Sequence, residues 1–330
     1  MGRVCVVALA LEAAIIGLPR TACGLDTQGT SSAYGLSVDS HLVDLSTLLG
    51  IGVDAALGPT PTVSGTAPAP YNLNNSLASA AVDASSALLG GGSIHVNAAT
   101  SNTVDVLSVA ASSTVDGAAG SRNAQASSAV ANFNSNVNSL GRVSLLNSAG
   151  LFNFSAMTLS SSASVSGDSG ALAATGDSAI IDANGAGDGF ATFTVLGLNF
   201  NVAVDAQGHV APNTTLTINA SSAAGLGDHL GTDLAGSIRL ILNEQTLTGD
   251  GISSRGIAVN ALHITFQNAG AQFFSALGVN VDNSNLGTGD IIIAHSQASM
   301  LAVPEPGAFR LLAASSVMLA LRLFRRKNVC

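Results

Sequence analysis

The chain has 330 residues, of which 47% are apolar and only 9% charged, and its formal net charge is −9. Sparse, mostly acidic charge excludes nucleic acid and anionic membrane surfaces as partners, because both are held by clustered Lys and Arg. A chain this long buries a sizeable core without disulfides, and its three cysteines (Cys5, Cys23 and Cys330) all lie near its ends. Met1-Gly2-Arg3 is a short positive region and Val4 to Leu18 an apolar one, followed by small residues up to Gly24. That order predicts a secretory signal helix over residues 1–24. Cys23 follows Ala22 as in a lipobox, but Arg20 stands where an aliphatic residue is required, so lipidation is not assigned.

From Thr27 to Pro70 the chain is polar and rich in small residues, with Pro59-Thr60-Pro61 and Pro68-Ala69-Pro70 as punctuation. Leu77 to Leu89, an Ala/Ser run ended by Gly90-Gly91-Gly92, reads as a short helix. Strand signals then recur at short intervals. Ile94 and Val96 alternate with polar neighbours, and Leu151 to Leu159 places Phe152, Phe154 and Ala156 on one face. Phe190 to Val195, Leu198 to Val204, Leu216 to Ile218, Ile238 to Leu242, Ile257 to Phe266 and Asp290 to Ala294 follow, separated by turns such as Gly249-Asp250-Gly251. Many short strands with Gly-rich turns predict an all-β fold. A β-sandwich-like domain over residues 25–302 is the expected form, with an irregular β-solenoid as the alternative; no fixed repeat of solenoid length is present.

The last 28 residues state an address. Val303-Pro304-Glu305-Pro306 leads into an apolar stretch from Gly307 to Phe324, then Arg325-Arg326-Lys327. At about 1.5 Å per residue, a helix over 308–324 spans roughly 26 Å, close to a bilayer core of about 30 Å. This predicts a C-terminal transmembrane helix with the basic cluster cytoplasmic and the body outside. Seven of the eleven basic residues and two of the twenty acids fall in the terminal segments. The body between them keeps four arginines against eighteen acids, a net charge of −14.

The order Pro-Glu-Pro, apolar helix, Arg-rich end resembles the PEP-CTERM sorting signal of exopolysaccharide-producing Gram-negative bacteria. The resemblance implies an exosortase-type membrane transpeptidase as partner, with Pro304, Glu305, Pro306, Arg325 and Arg326 as the sorting motif within 303–330. An ordinary tail anchor is the alternative. Val63 to Asn72, Leu242 to Thr246, Val259 to Ile264 and Asp290 to Ser296 resemble the bacterial choice-of-anchor P surface family. That likeness implies an exported β-rich body on the cell surface and no established reaction.

Several chemistries lack parts. The only lysine is Lys327, and there is no HExxH pair, Gly-x-Ser-x-Gly elbow or cysteine-based zinc site. Six histidines are scattered, at 41, 95, 209, 229, 263 and 295. His263 and His295 are read as lining the solvent face of their strands or donating to backbone carbonyls. The alternative is convergence with Glu244, the only glutamate of the body. A serine hydrolase built on His263 and Asp290 is set aside, because with serine this common such coincidences are expected. Asp182, Asn184 and Asp188 offer oxygens around glycines suited to calcium, although Asp and Asn also build turns unaided. The function expected is a non-enzymatic structural or adhesion protein of the cell surface or extracellular matrix (biofilm), with exopolysaccharide or another envelope glycan as partner. A secreted glycan-active enzyme using an Asp/Glu pair is the alternative.

Overall fold

The computed structural model describes residues 24–45, 51–89, 94–118, 120–138, 142–143, 150–182, 189–195, 198–218, 237–269 and 286–304. These residues form an all-β fold of open sheets without helix. The first sheet contains β1 (Gly24–Leu45), β2 (Ile51–Thr66), β13 (Thr214–Ile218), β14 (Ser237–Thr248), β15 (Ser254–Ala269) and β16 (Leu286–Pro304). Its order is β13-β14-β15-β16-β1-β2, so the last strand lies in the middle beside the first. The second sheet contains β3 (Tyr71–Leu77), β4 (Ala80–Leu89), β5 (Ile94–Val104), β6 (Val106–Ser113), β7 (Arg122–Asn138) and β8 (Arg142–Val143). It also holds β9 (Gly150–Asp168), β10 (Ala171–Asp182), β11 (Phe190–Val195) and β12 (Leu198–Ala203). All of its strand pairs are antiparallel, and β3, β6, β7, β9 and β10 lie side by side.

Two local expectations are corrected. Ala80 to Leu89 is a strand, not part of a helix: it pairs with β5 from Ala80↔Val104 to Leu89↔His95, and those partners outweigh the helical leaning of alanine. Pro59-Thr60-Pro61 does not break the chain but lies inside β2. That strand is at the edge of its sheet, where a missing N–H is tolerated.

The two sheets face each other across apolar residues contributed by both. Phe133, Phe154 and Phe193 of the second sheet are buried with Leu36, Leu240, Leu262, Ile264, Ile291 and Ile293 of the first. The Phe154 and Phe193 rings stack with centroids 4.2 Å apart. Polar bonds also cross the gap: Ser128 Oγ donates to the Tyr34 carbonyl at 2.9 Å, and Gln245 Nε2 to the Gly176 carbonyl at 2.9 Å.

One transverse row sets the geometry of the first sheet. The ladders pair Leu242↔Leu262 and Glu244↔Asn260, then Leu262↔Ile293 and Asn260↔His295, then Ile293↔Leu36 and His295↔Tyr34. Between those pairs Asn243, Ala261, Ala294 and Gly35 stand unpaired, side by side. Asn243 has φ +48 and Ala294 φ +50, so the backbone turns over there. Inward-facing residues therefore change parity. In β15 they are Ile257, Val259 and Ala261, then Leu262 and Ile264; in β16, Ile291 and Ile293, then Ala294, Ser296 and Ala298. Gly35 fits because a Cβ there would lie 2.5 Å from Leu107 Cδ2 of the facing sheet. The second sheet makes the same exchange, from Val130 to Phe133 in β7 around Asn132 (φ +50), and from Ala156 to Leu159 in β9.

Candidate functional site

The parity change assembles a polar cluster on the outer face of the first sheet. In a regular strand, residues three apart point to opposite faces. Across the row, Asn260 and His263 both point outward, and both reach Glu244. Asn260 Nδ2 donates to Glu244 Oε2 at 2.7 Å, and His263 Nδ1 donates to the same oxygen at 2.8 Å. His263 Nε2 lies 3.2 Å from Asp290 Oδ1. His295 Nδ1 lies 2.6 Å from Asn260 Oδ1, and its ring stacks on Tyr34 with centroids 4.4 Å apart. The chain Asp290–His263–Glu244–Asn260–His295–Tyr34 thus crosses β14, β15, β16 and β1.

Its electrostatics follow from who accepts. Both ring nitrogens of His263 face carboxylates, which accept when ionised, so the geometry favours the doubly protonated ring. Burial works against that charge, but the hydrogen bonds and charges of Glu244 and Asp290 outweigh it and raise the His263 pKa. The hydrogen bond from His263 is the main cause holding the Glu244 carboxyl below its usual range; burial opposes it and Asn260 adds to it. His295 is pushed the other way, to about 4, because burial disfavours its charge more than Glu244 favours it. Burial, with the Glu244 charge, raises the Tyr34 hydroxyl to about 12. Charge is favoured on one histidine and disfavoured on its neighbour.

Both readings of these histidines meet here: they line the solvent face of their strands and they converge with Glu244. His263 does meet Asp290, as a hydrolase would need, yet its other nitrogen is tied to Glu244. Both nitrogens thus already have carboxylate partners. The arrangement links side chains of four strands through one hydrogen-bonded chain.

Of the proposed calcium trio, Asp182 is described and buried, and its Oδ2 accepts the Thr192 N–H at 3.0 Å, tying β10 to β11. Asn184 and Asp188 lie outside the described residues. Among the described residues no group of three His, Cys, Asp or Glu is placed to hold a metal. Of the sorting motif, Pro304 ends β16 and pairs with Gly24, while Glu305, Pro306, Arg325, Arg326 and the expected signal and C-terminal helices lie outside the described residues. Among the described residues no helix is long and apolar enough to cross a membrane. His229 is likewise outside, and of His41 and His95 only the strand positions are described.

Sequence reasoning missed Asn260 and Tyr34, and also a second imidazole between carboxylates. His209 Nδ1 lies 3.0 Å from Asp205 Oδ2, and its Nε2 lies 3.4 Å from Asp177 Oδ2 on β10. A signal for Asn260 existed: Ala261-Leu262 sets two apolar residues in succession between Asn260 and His263, which breaks strand alternation. No family model matches this chain, and no curated protein matches it closely enough to be called similar.

Proposed function

We propose that the chain is a non-enzymatic β protein exported to the cell envelope and displayed on the cell surface or in its matrix. In this reading residues 1–24 direct export, and 303–330 hold the body to the membrane through an apolar helix. An exosortase-type transpeptidase acts at Pro304-Glu305-Pro306. The observation that carries the reading is the pairing of β1 with β16. Gly24 lies opposite Pro304 and Leu25 opposite Val303, so the folded body fills the interval between the two segments read as targeting signals. Removal of a leader near Gly24 would leave β1 whole, and a cut beyond Pro304 would leave β16 whole. Two antiparallel sheets sharing a core fit a β-sandwich better than a solenoid of stacked parallel coils. The resemblance to the choice-of-anchor P family supports the same display role, and a calcium ion held by Asp182, Asn184 and Asp188 is part of the proposal.

The test is protease shaving of intact cells producing the full chain, followed by fractionation. Body peptides released from whole cells support the reading. A body protected until lysis, recovered with cytosolic markers, contradicts it.

A further inference from the structure

The outer face of the second sheet is hollowed where five adjacent strands cross. Ser108 stands opposite Ala129 and Ala129 opposite Ser160; one row on, Ala110 stands opposite Ser127, and Ser127 opposite Ser162. The hollow over these rows has a volume of about 640 Å³, and an adjoining one of about 370 Å³ shares Ala110, Ser127 and Ser162 and continues to Gln125 and Ser164. Strand spacing of about 4.8 Å makes the trough roughly 19 Å across its five strands, with successive rows about 6.8 Å apart. Its floor is alanine and its lining is hydroxyl and amide.

Its two ends are fixed. At β3, Asn75 Nδ2 donates to the Thr62 carbonyl at 3.1 Å and its Oδ1 accepts the Ser76 N–H at 2.9 Å. At β10, Asp177 and His209 stand together. Within the described residues, the hydroxyls of Ser108, Ser127, Ser160 and Ser162 enter no hydrogen bond, so each has a donor and acceptor to offer. Among the described residues, Asp177 and His209 are the only ionisable ones in the lining, with neither Lys nor Arg. A phosphate, uronate or anionic lipid therefore finds no cluster of cations, and the one imidazole, His209, already faces the carboxylates of Asp177 and Asp205. A docking peptide helix or strand would want apolar anchor pockets, which alanine and serine do not form. What remains complementary is an uncharged chain carrying many hydroxyls.

We infer that this trough binds a neutral, extended polysaccharide lying across β3, β6, β7, β9 and β10. The inference rests on the display reading and names the ligand class for it. Neither tyrosine assists by stacking: the Tyr71 hydroxyl is bonded to Ser31 at 2.8 Å and to the Gly65 carbonyl at 2.9 Å, and Tyr34 stacks on His295. Affinity for one chain comes from an array of short, rotamer-poor hydroxyls and is modest, so retention depends on many displayed copies engaging one polymer.

The test immobilises the full chain densely in detergent on a biosensor and passes soluble dextran, a mixed-linkage β-glucan and, as the acidic comparison, alginate. Saturable binding of at least one neutral glucan is expected, well above alginate. Ser127→Ala with Ser162→Ala removes two central hydroxyls without adding bulk and is expected to weaken it about tenfold, at roughly threefold per hydrogen bond. Ala129→Arg, filling the floor, should abolish it, while Ser299→Ala on the other sheet should leave it unchanged. Circular dichroism confirms that each variant is folded. No binding of either neutral glucan, equal or better binding of alginate, or undiminished binding by the folded trough variants each overturns the inference. Shaving separates the two readings: a surface-exposed body whose trough variants bind normally sinks only the trough, and a cytosolic body that binds glucan sinks only the display.

Discussion

The two halves of the core, on either side of the row where the strands turn over, are built from different residues. On one side Phe133, Phe154 and Phe193 meet leucines and isoleucines of the first sheet. On the other, Ala67, Ala124, Ala163, Ala298 and Ala302 stand with three valines, Leu172, Ile257 and Met300. Ala126, Ala163 and Gly176 lie side by side on β7, β9 and β10. A Cβ on Gly176 would come within 2.6 Å of Ile257 Cδ1 and of Val259 Cγ2 in the facing sheet, so the sheets are close there. The difference teaches that an apolar fraction says little about how a core is filled. One half is centred on three phenylalanine rings; the other buries none among the described residues, with Tyr71 packed only at its margin, and the hydroxyl trough extends over its alanine rows.

The comparison breaks most readily at the bulky half. Phe154→Ala removes a ring that is 1% exposed and stacked on Phe193, and should cost about 3–5 kcal/mol in chemical denaturation. A substitution of opposite sense sharpens it: Ala163→Leu in the narrow half adds volume with nowhere to go and should cost about 1–3 kcal/mol, whereas a Leu would be ordinary at the bulky end.

The row between the halves carries a pH signature of comparable size. His295 titrates near 4 in the fold against about 6.5 unfolded, so the folded state binds fewer protons between those values. Its contribution is present above pH 6.5 and is lost as the pH falls toward 4, by about 2–3 kcal/mol. His263 has the opposite sign: its pKa is raised, so its contribution is complete below 6.5 and is lost as pH rises through its folded value. Glu244, held low, loses its contribution on acidification below its ordinary range. Melting temperature against pH should therefore fall on the acid side for the wild type, and the fall should be shallower for His295→Phe.

Smaller effects follow at the margins. Asp182→Ala leaves the Thr192 N–H without its acceptor and should cost about 1–2 kcal/mol by urea denaturation. At the row itself, Ala294→Gly relieves a positive φ at a residue with a Cβ but adds freedom to the unfolded chain. Those terms and the loss of a buried methyl nearly cancel, and a change within about 0.5 kcal/mol of zero is expected by urea denaturation.

Much of this was legible in the residues. Alternation located β5, β9 and β11 to β16 but not β7 or β10, and placed Phe154 and Ala156 together on a face that is buried. It failed at Leu77 to Leu89, where alanine's helical leaning yields to a strand partner far along the chain, and at Pro61, whose edge position no local pattern reveals. The outer-face cluster was half legible. Glu244, His263 and His295 were visible as a possible meeting of strands, but Asn260, the residue that joins them, points outward only because the backbone turns over at Ala261. The trough was illegible for another reason: scattered serines become an array only through the registers of β6, β7 and β9.

The display account turns on where the mature chain begins and ends. Intact-mass spectrometry of the protein recovered from the cell envelope and medium should find a chain starting close to Gly24 and ending close to Pro304–Pro306, the two ends that the β1–β16 ladder brings together. A single species running from Met1 to Cys330, recovered from the cytosol, would contradict it.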